Sequence, residues 1–328
     1  MYTIKKVHLE STQLCQAMCP MCDRVTLDGK LNPHLSSASL SIDDIQNMFS
    51  PDFIANLDEM YMCGNLGDPM LAPDCIKIFE YFRTHNPKIY LSMNTNGGAR
   101  KPEWWAQLAK VVNHVTFSID GLEDTNSVYR KGVVWYNVIN NVKEFIYAGG
   151  KAKWDYLVFE HNEHQIELAR QLSEELGFVD FRPKATSRYD KERPAWQSYW
   201  RGRAAEVIRP PSQLQYQSDV VNNPLEDRHK FDINPKCVKN KEIYVSATGH
   251  VFPCCWAHTS LASSQNVSME EKLDITSMVA ENNAKEVGIN KAIEWFDNMF
   301  ERWDTDDKPF ICSAKCNAKQ DTVKLQYV

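Results

Sequence analysis

Strand-like and helix-like patterns alternate six times over the first 186 residues, and that alternation constrains the fold more than any single motif. The strand patterns cover residues 4–11, 57–64, 88–98, 114–121, 151–160 and 178–186. Between them lie helical patterns at 41–49, 72–86, 102–112, 134–150 and 162–177. Ser41 reads as an N-cap, Pro102 as a helix start and Gly149–Gly150 as a helix stop. Strands separated by helices at this spacing make right-handed βαβ units and a parallel sheet. Such a sheet is open or forms part of a barrel. In both cases reactive residues gather at the C-terminal strand ends.

The alternation stops near residue 187. The stretch 182–211 is rich in Arg, Lys and aromatics and reads as a connection. Residues 241–255 read as a β-hairpin turning at Gly249, followed by a helical pattern over 285–302 and a closing CSAKC. A domain boundary is expected between 200 and 235. We set it so that 1–210 forms the core with its connector and 211–328 a small second domain of hairpin and helix.

The 328 residues, 43% hydrophobic and 24% charged, are enough for a large core in a globular chain. A net charge of −6 speaks against a generally basic nucleic-acid binder. No apolar run approaches a membrane span and the N-terminus has no apolar signal region, so the expected location is the cytoplasm with no membrane partner. In a reducing compartment, ten cysteines grouped at the two ends of a chain are more readily metal ligands than disulfides.

Three cysteines fall in the eight residues CQAMCPMC: Cys15, Cys19 and Cys22. Thiolates are soft ligands suited to iron–sulfur clusters and zinc, and a structural zinc wants four ligands in two separated pairs. Three thiolates on a four-iron cubane leave one iron open to a small molecule. This CxxxCxxC loop resembles the signature of the radical S-adenosylmethionine (SAM) enzymes. The resemblance implies a partial (β/α)6 TIM-like barrel, a [4Fe–4S] cluster on these three cysteines, and SAM on the open iron. It also implies reductive cleavage of SAM to a 5′-deoxyadenosyl radical that abstracts hydrogen from a substrate. Met21, where the family often has an aromatic residue, is expected to give the adenine an apolar surface.

The other strand ends resemble the same family. The stretch GNLGDP (64–69) is similar to its Gly-Gly-Glu-Pro segment, which binds the SAM amino group. The resemblance implies cofactor roles for Gly64, Asn65, Gly67 and Asp68. NTNGG (94–98) is similar to the Thr-Asn-Gly turn, with Asn94 or Asn96 reaching the ribose or carboxylate. In FSIDG and the segment after it, Ser118 and Asp120 are implied to face the ribose and Arg130 to pair with the SAM carboxylate.

The C-terminal cysteines resemble the short form, called twitch, of the family's SPASM extension. Cys237, Cys254, Cys312 and Cys316 are the implied ligands of one auxiliary iron–sulfur cluster, expected to be [4Fe–4S]. Cys255 is expected on the opposite strand face. Cys63 and Cys75 read as buried thiols. Cys63, at a strand end facing the presumed cavity, is also a candidate hydrogen-atom donor to a substrate radical.

The resemblance implies a radical SAM oxidoreductase-like enzyme with a flavodoxin- or ferredoxin-type electron donor. The leading expectation is oxidation, cross-linking or epimerisation of a peptide or protein side chain. The alternatives are the same chemistry on a sugar, nucleotide or other phosphorylated small molecule, and a non-catalytic metal-binding module. The stretch 182–209 holds eight basic against three acidic residues. It reads as a solvated connector or as a patch for phosphate, acidic peptide or nucleic acid.

Overall fold

The computed structural model describes residues 3–186, 188–189, 193–216, 232–263 and 269–316. Asp190, Lys191 and Glu192 of the basic stretch lie outside the described residues.

Six strands run in chain order through one parallel sheet: β1 (Lys6–Leu9), β2 (Glu59–Met62), β3 (Tyr90–Thr95), β4 (His114–Ser118), β5 (Ala152–Leu157) and β6 (Asp180–Lys184). Between β1 and β2 lie α1 (Ile42–Met48) and α2 (Pro51–Ala55). The later crossovers are α3 (Cys75–His85), α4 (Pro102–Leu108), α5 (Asn126–Tyr129) with α6 (Trp135–Tyr147), and α7 (Ile166–Leu176). Ser41 and Asp44 form a reciprocal capping box on α1, and Pro102 opens α4.

Alternation along each strand separates two faces. Val7 and Leu9, Met60 and Met62, Leu91 and Met93, and Val115 and Phe117 are all fully buried toward the helices. Cys75 of α3 lies 3.8 Å from the Met62 sulfur and 4.0 Å from that of Met93, so it is a packing thiol. The opposite face is polar. It carries His8 and Glu10, Tyr61 and Cys63, Ser92 and Asn94, Thr116 and Ser118, Asp155, and Arg182 with Lys184. An apolar outer face under helices and a polar inner face is the pattern of a partial barrel with a chemical interior.

Two features differ from the sequence reading. The stretch after β6 is not a plain connection but an antiparallel hairpin of β7 (Trp196–Trp200) and β8 (Arg203–Ile208). Both residues at its tip, Arg201 and Gly202, take positive φ, as primed hairpin turns require. Arginine is a rare choice there, which hid the turn. The hairpin is seated on the N-terminal cysteine loop. A β-carbon on Gly29 would run into the Tyr199 side chain, and one on Gly132 into the Gln16 carbonyl and the Trp200 ring. Lys131 pairs with Glu206 of β8.

The second difference is that the C-terminal hairpin belongs to the barrel's own sheet. After α8 (Lys236–Asn240), β9 (Glu242–Val245) pairs in parallel with β1, and β10 (Val251–Phe252) closes back on β9. The sheet order is therefore β10-β9-β1-β2-β3-β4-β5-β6. Beyond it come α9 (Cys255–Ala262), α10 (Met269–Met278), α11 (Ala284–Ala292), α12 (Phe296–Phe300) and α13 (Phe310–Lys315). The helical pattern expected over 285–302 is broken at Gly288, whose φ of 75° is not helical, and again between α11 and α12. Lys285 of α11 pairs with Asp44 of α1, tying this segment to the barrel's flank. No helix among the described residues is long and apolar enough to cross a membrane.

Candidate active site

The loop after β1 brings Cys15, Cys19 and Cys22 together at the barrel's C-terminal end. Burial raises all three thiols, that of Cys19 to about 11 against the pull of Arg130. The negative charges of Cys19 and Cys22 raise Cys15 further, so the sulfurs are electrostatic neighbours. Cys15 Sγ accepts from Ala17 N (3.4 Å) and Asn96 Nδ2 (3.7 Å), and Arg130 Nη1 stands 4.0 Å from Cys19 Sγ. Among the described residues no three His, Cys, Asp or Glu converge on a single metal ion.

The expected cofactor residues surround this loop. Asp68 is buried, and burial raises its carboxyl. Its Oδ1 accepts from Thr95 Oγ1 (2.7 Å) and Met70 N (3.2 Å). Its Oδ2 accepts from Asn96 N (2.8 Å) and Nδ2 (2.7 Å). Asp68 thus clasps the NTN turn, and Asn96 passes that grip on by accepting from Gln16 Nε2 (2.6 Å) beside Cys15. Gly67 has no alternative: a β-carbon there would sit 1.9 Å from the Thr12 carbonyl oxygen. Gly64 is held as tightly against Gly67.

Arg130 Nε donates to Asp120 Oδ2 at 2.6 Å, while Asp120 Oδ1 accepts from Leu157 N. Burial opposes the charge on Arg130, but Asp120 and Cys19 more than offset it and raise the guanidinium above its ordinary value. Ser118 ends β4 opposite Asp155. Met21 is 1% exposed, and its carbonyl accepts from Arg188. Asn94 hydrogen-bonds the Cys63 thiol, which burial raises to about 12. Asn65 turns elsewhere: its Nδ2 donates to Thr259 Oγ1 (3.2 Å) and the Cys255 carbonyl (3.4 Å) on α9.

Two residues escaped the sequence reading. Glu10, fully buried, accepts at Oε1 from Leu66 N (2.6 Å) and Gly67 N (3.2 Å) and at Oε2 from the Tyr244 hydroxyl. Burial raises its carboxyl to about 7. Arg24, 7% exposed, donates through Nη1 to the carbonyls of Gln13 and Leu66 and through Nη2 to that of Cys15 (3.4 Å). The sequence signal for Glu10 was a carboxylate two residues beyond His8 on one strand face. For Arg24 there was none.

At the C-terminal end, the thiols of Cys237, Cys254, Cys312 and Cys316 lie in one another's fields, and burial raises those of Cys237, Cys254 and Cys312. Asn234 N donates to the Cys316 carbonyl (2.6 Å), joining the start of this segment to its end. Cys254 and Cys255 are not on a strand: Cys254 caps α9 and Cys255 is its first residue. Cys255 lies in the fields of Cys254, Glu242 and Cys63.

A partial α/β barrel with three clustered thiols at its mouth, Cys19 buried and Cys15 and Cys22 half-buried, defines a class of metalloenzyme, and comparison with known proteins gives the family. Residues 9–172, half of the chain, match the sequence model of the Radical SAM superfamily, and the chain belongs to it. It is an enzyme of the kind that uses a [4Fe–4S] cluster and SAM. In fold it resembles Streptococcus suis SuiB bound to SAM (TM-score 0.54, 13% identity, covering 87% of this chain and 68% of that one). SuiB bound to the precursor peptide SuiA matches at 0.54 and 13%, covering 82% and 62%. Native anSMEcpe with bound AdoMet and Cp18Cys peptide matches at 0.55 and 15%, covering 97% and 86%. No curated protein matches the chain.

Proposed function

We propose that Cys15, Cys19 and Cys22 hold the SAM-binding cluster and that Met21, Gly64, Asn65, Gly67, Asp68, Asn94, Asn96, Ser118, Asp120 and Arg130 form the SAM site around it. The observation that carries this reading is the convergence of Asp68, Asn96 and Arg130 on the three thiols, two of them bonded to sulfur. The donor set fits: three clustered, buried or half-buried thiols that give up protons on metal binding, under N–H groups suited to thiolate sulfur. When bound, the cluster and SAM supply a 5′-deoxyadenosyl radical for hydrogen abstraction.

The chain's own residues do the rest. Asp68 orients Asn96 rather than leaving a free carboxylate, and the backbone of 64–67, pinned by Glu10 and Arg24, offers polar groups to the cofactor. Arg130, held charged by Asp120, is placed for a carboxylate. Cys63 is placed on the polar barrel interior as a hydrogen-atom donor. Residues 211–328 act as a twitch-type segment whose Cys237, Cys254, Cys312 and Cys316 hold an auxiliary cluster. An electron donor of flavodoxin or ferredoxin type serves the enzyme.

The substrate we favour is a peptide or protein side chain. The barrel's inner cations support this over a phosphorylated metabolite, because Lys184 pairs with Asp155 (2.5 Å) and Arg182 with Asp155 (2.7 Å) and Asp180 (3.6 Å), two carboxylates for two cations. The solved structures of similar fold also include two in complex with peptides. Anaerobic reconstitution with iron counting, then a 5′-deoxyadenosine assay, tests the engine: zinc without iron would sink it. Peptides encoded beside the gene, assayed for a mass loss of two hydrogens or deuterium uptake, test the substrate class.

A further inference from the structure

Three buried polar atoms at the barrel mouth have no hydrogen-bond partner among the described residues: Nδ1 and Nε2 of His161 and the hydroxyl of Tyr189, a residue only 9% exposed. Such atoms cost about 1–3 kcal/mol each, and folded proteins keep few of them.

These atoms sit in one ring-walled seam. The Phe159 ring stacks on His161 (centroids 5.4 Å apart, 10° between planes) and also meets Tyr129 (4.6 Å, 37°). Tyr189 lies in the fields of Tyr129 and Glu160. The Arg130 guanidinium stands 5.4 Å from the centre of the Tyr129 ring, which also feels Cys19. The seam is therefore one aromatic ring away from the cysteine loop.

Among the described residues its charges are already spoken for. Lys131 pairs with Glu206, Arg209 with Glu160 at 3.3 Å, and Arg188 donates to the Met21 carbonyl. Burial lowers His161 to about 4, so its ring is neutral and offers one donor and one acceptor. What its groups leave unpaired is an uncharged hydrogen-bonding edge between aromatic faces. Residues 203–207 of β8, the strand that meets Lys131 through Glu206, are exposed.

We propose that the seam walled by Tyr129, Phe159, His161 and Tyr189 is the substrate subsite, and that it takes an aromatic side chain with a polar edge, presented by a peptide. The peptide carrier rests on the function proposed above; the ring and its polar edge are read from the seam itself.

The test is saturation-transfer NMR on the anaerobically reconstituted enzyme with SAM. The probes are the N-acetyl amides of tyrosine, tryptophan, leucine and lysine, with uridine and glucose 6-phosphate. The tyrosine or tryptophan amide should bind and the leucine and lysine amides should not. Binding should weaken about fivefold or more in both Tyr189→Phe and His161→Phe, the worth of one hydrogen bond. SAM affinity by calorimetry should not change. Melting temperature should hold or rise, since each variant removes polar atoms that had no partner; a merely structural role would lower it. Equal binding of leucine and tyrosine amides, or unchanged binding in both variants, overturns the subsite alone. Binding of uridine or the sugar phosphate in place of the amides overturns both the subsite as stated and the peptide reading.

Discussion

Glu10 at the end of β1 and Tyr244 of β9 share a hydrogen bond although 233 residues separate them, and the other oxygen of the same carboxylate holds the 64–67 loop. One buried side chain thus joins the candidate cofactor loop to the C-terminal segment.

The pH dependence of stability follows from this carboxylate. Its folded value, about 7, lies above the ordinary 4.5. The folded state therefore holds the proton more tightly, and stability falls as pH rises from about 4.5 to 7. The shift corresponds to about 3 kcal/mol. Glu10→Gln can still accept from Leu66 and Gly67 and can donate to Tyr244. Its melting temperature should stay level across this window while the wild type declines, as thermal scans at pH 5 and 7.5 will reveal.

Arg24 serves three carbonyls with one planar guanidinium, which an ammonium cannot copy. Arg24→Lys should lower iron retention at the N-terminal loop and destabilise the fold by about 1–3 kcal/mol, the cost of carbonyls left unpaired. Urea denaturation and iron analysis after gel filtration check this, and a variant with wild-type stability and iron content would refute it.

The two cysteine groups are separable. Cys316→Ser should reduce iron from about eight to about four per chain, one cubane of two. Cys255→Ser, outside both sets, should keep the full complement. Loss of iron in Cys255→Ser with full iron in Cys316→Ser would reassign the fourth ligand.

Cys63→Ala should retain both clusters and SAM cleavage while product formation falls, since the thiol stands on the barrel interior beside Asn94. Unchanged product yield under turnover would remove Cys63 as hydrogen donor.

The barrel was readable because each strand and crossover helix carries its own period, and Ser41, Pro102 and Gly149 mark helix ends in the local sequence. The cysteine loop was readable because its donors are neighbours in sequence. Glu10 was not, because its partners lie 56 to 234 residues away; Arg24 was not, because it binds backbone carbonyls, which no side-chain pattern announces. The β7–β8 hairpin was missed because its turn puts an arginine at positive φ. The pairing of β9 with β1 was missed because nothing in a strand's own residues names its neighbour.

That last pairing has a consequence for how the chain is made. β1 closes on one side with β2, fifty residues later, but on the other side only with residues 242–245. Contacts of such sequence separation form late and slowly. While the ribosome is still short of residue 245, the strand that carries the cysteine loop has an open edge and Glu10 lacks its tyrosine. Iron loading before release would meet a half-framed loop. The long reach of one strand pair thus makes sheet closure, and with it the frame around the loop, wait for residue 245.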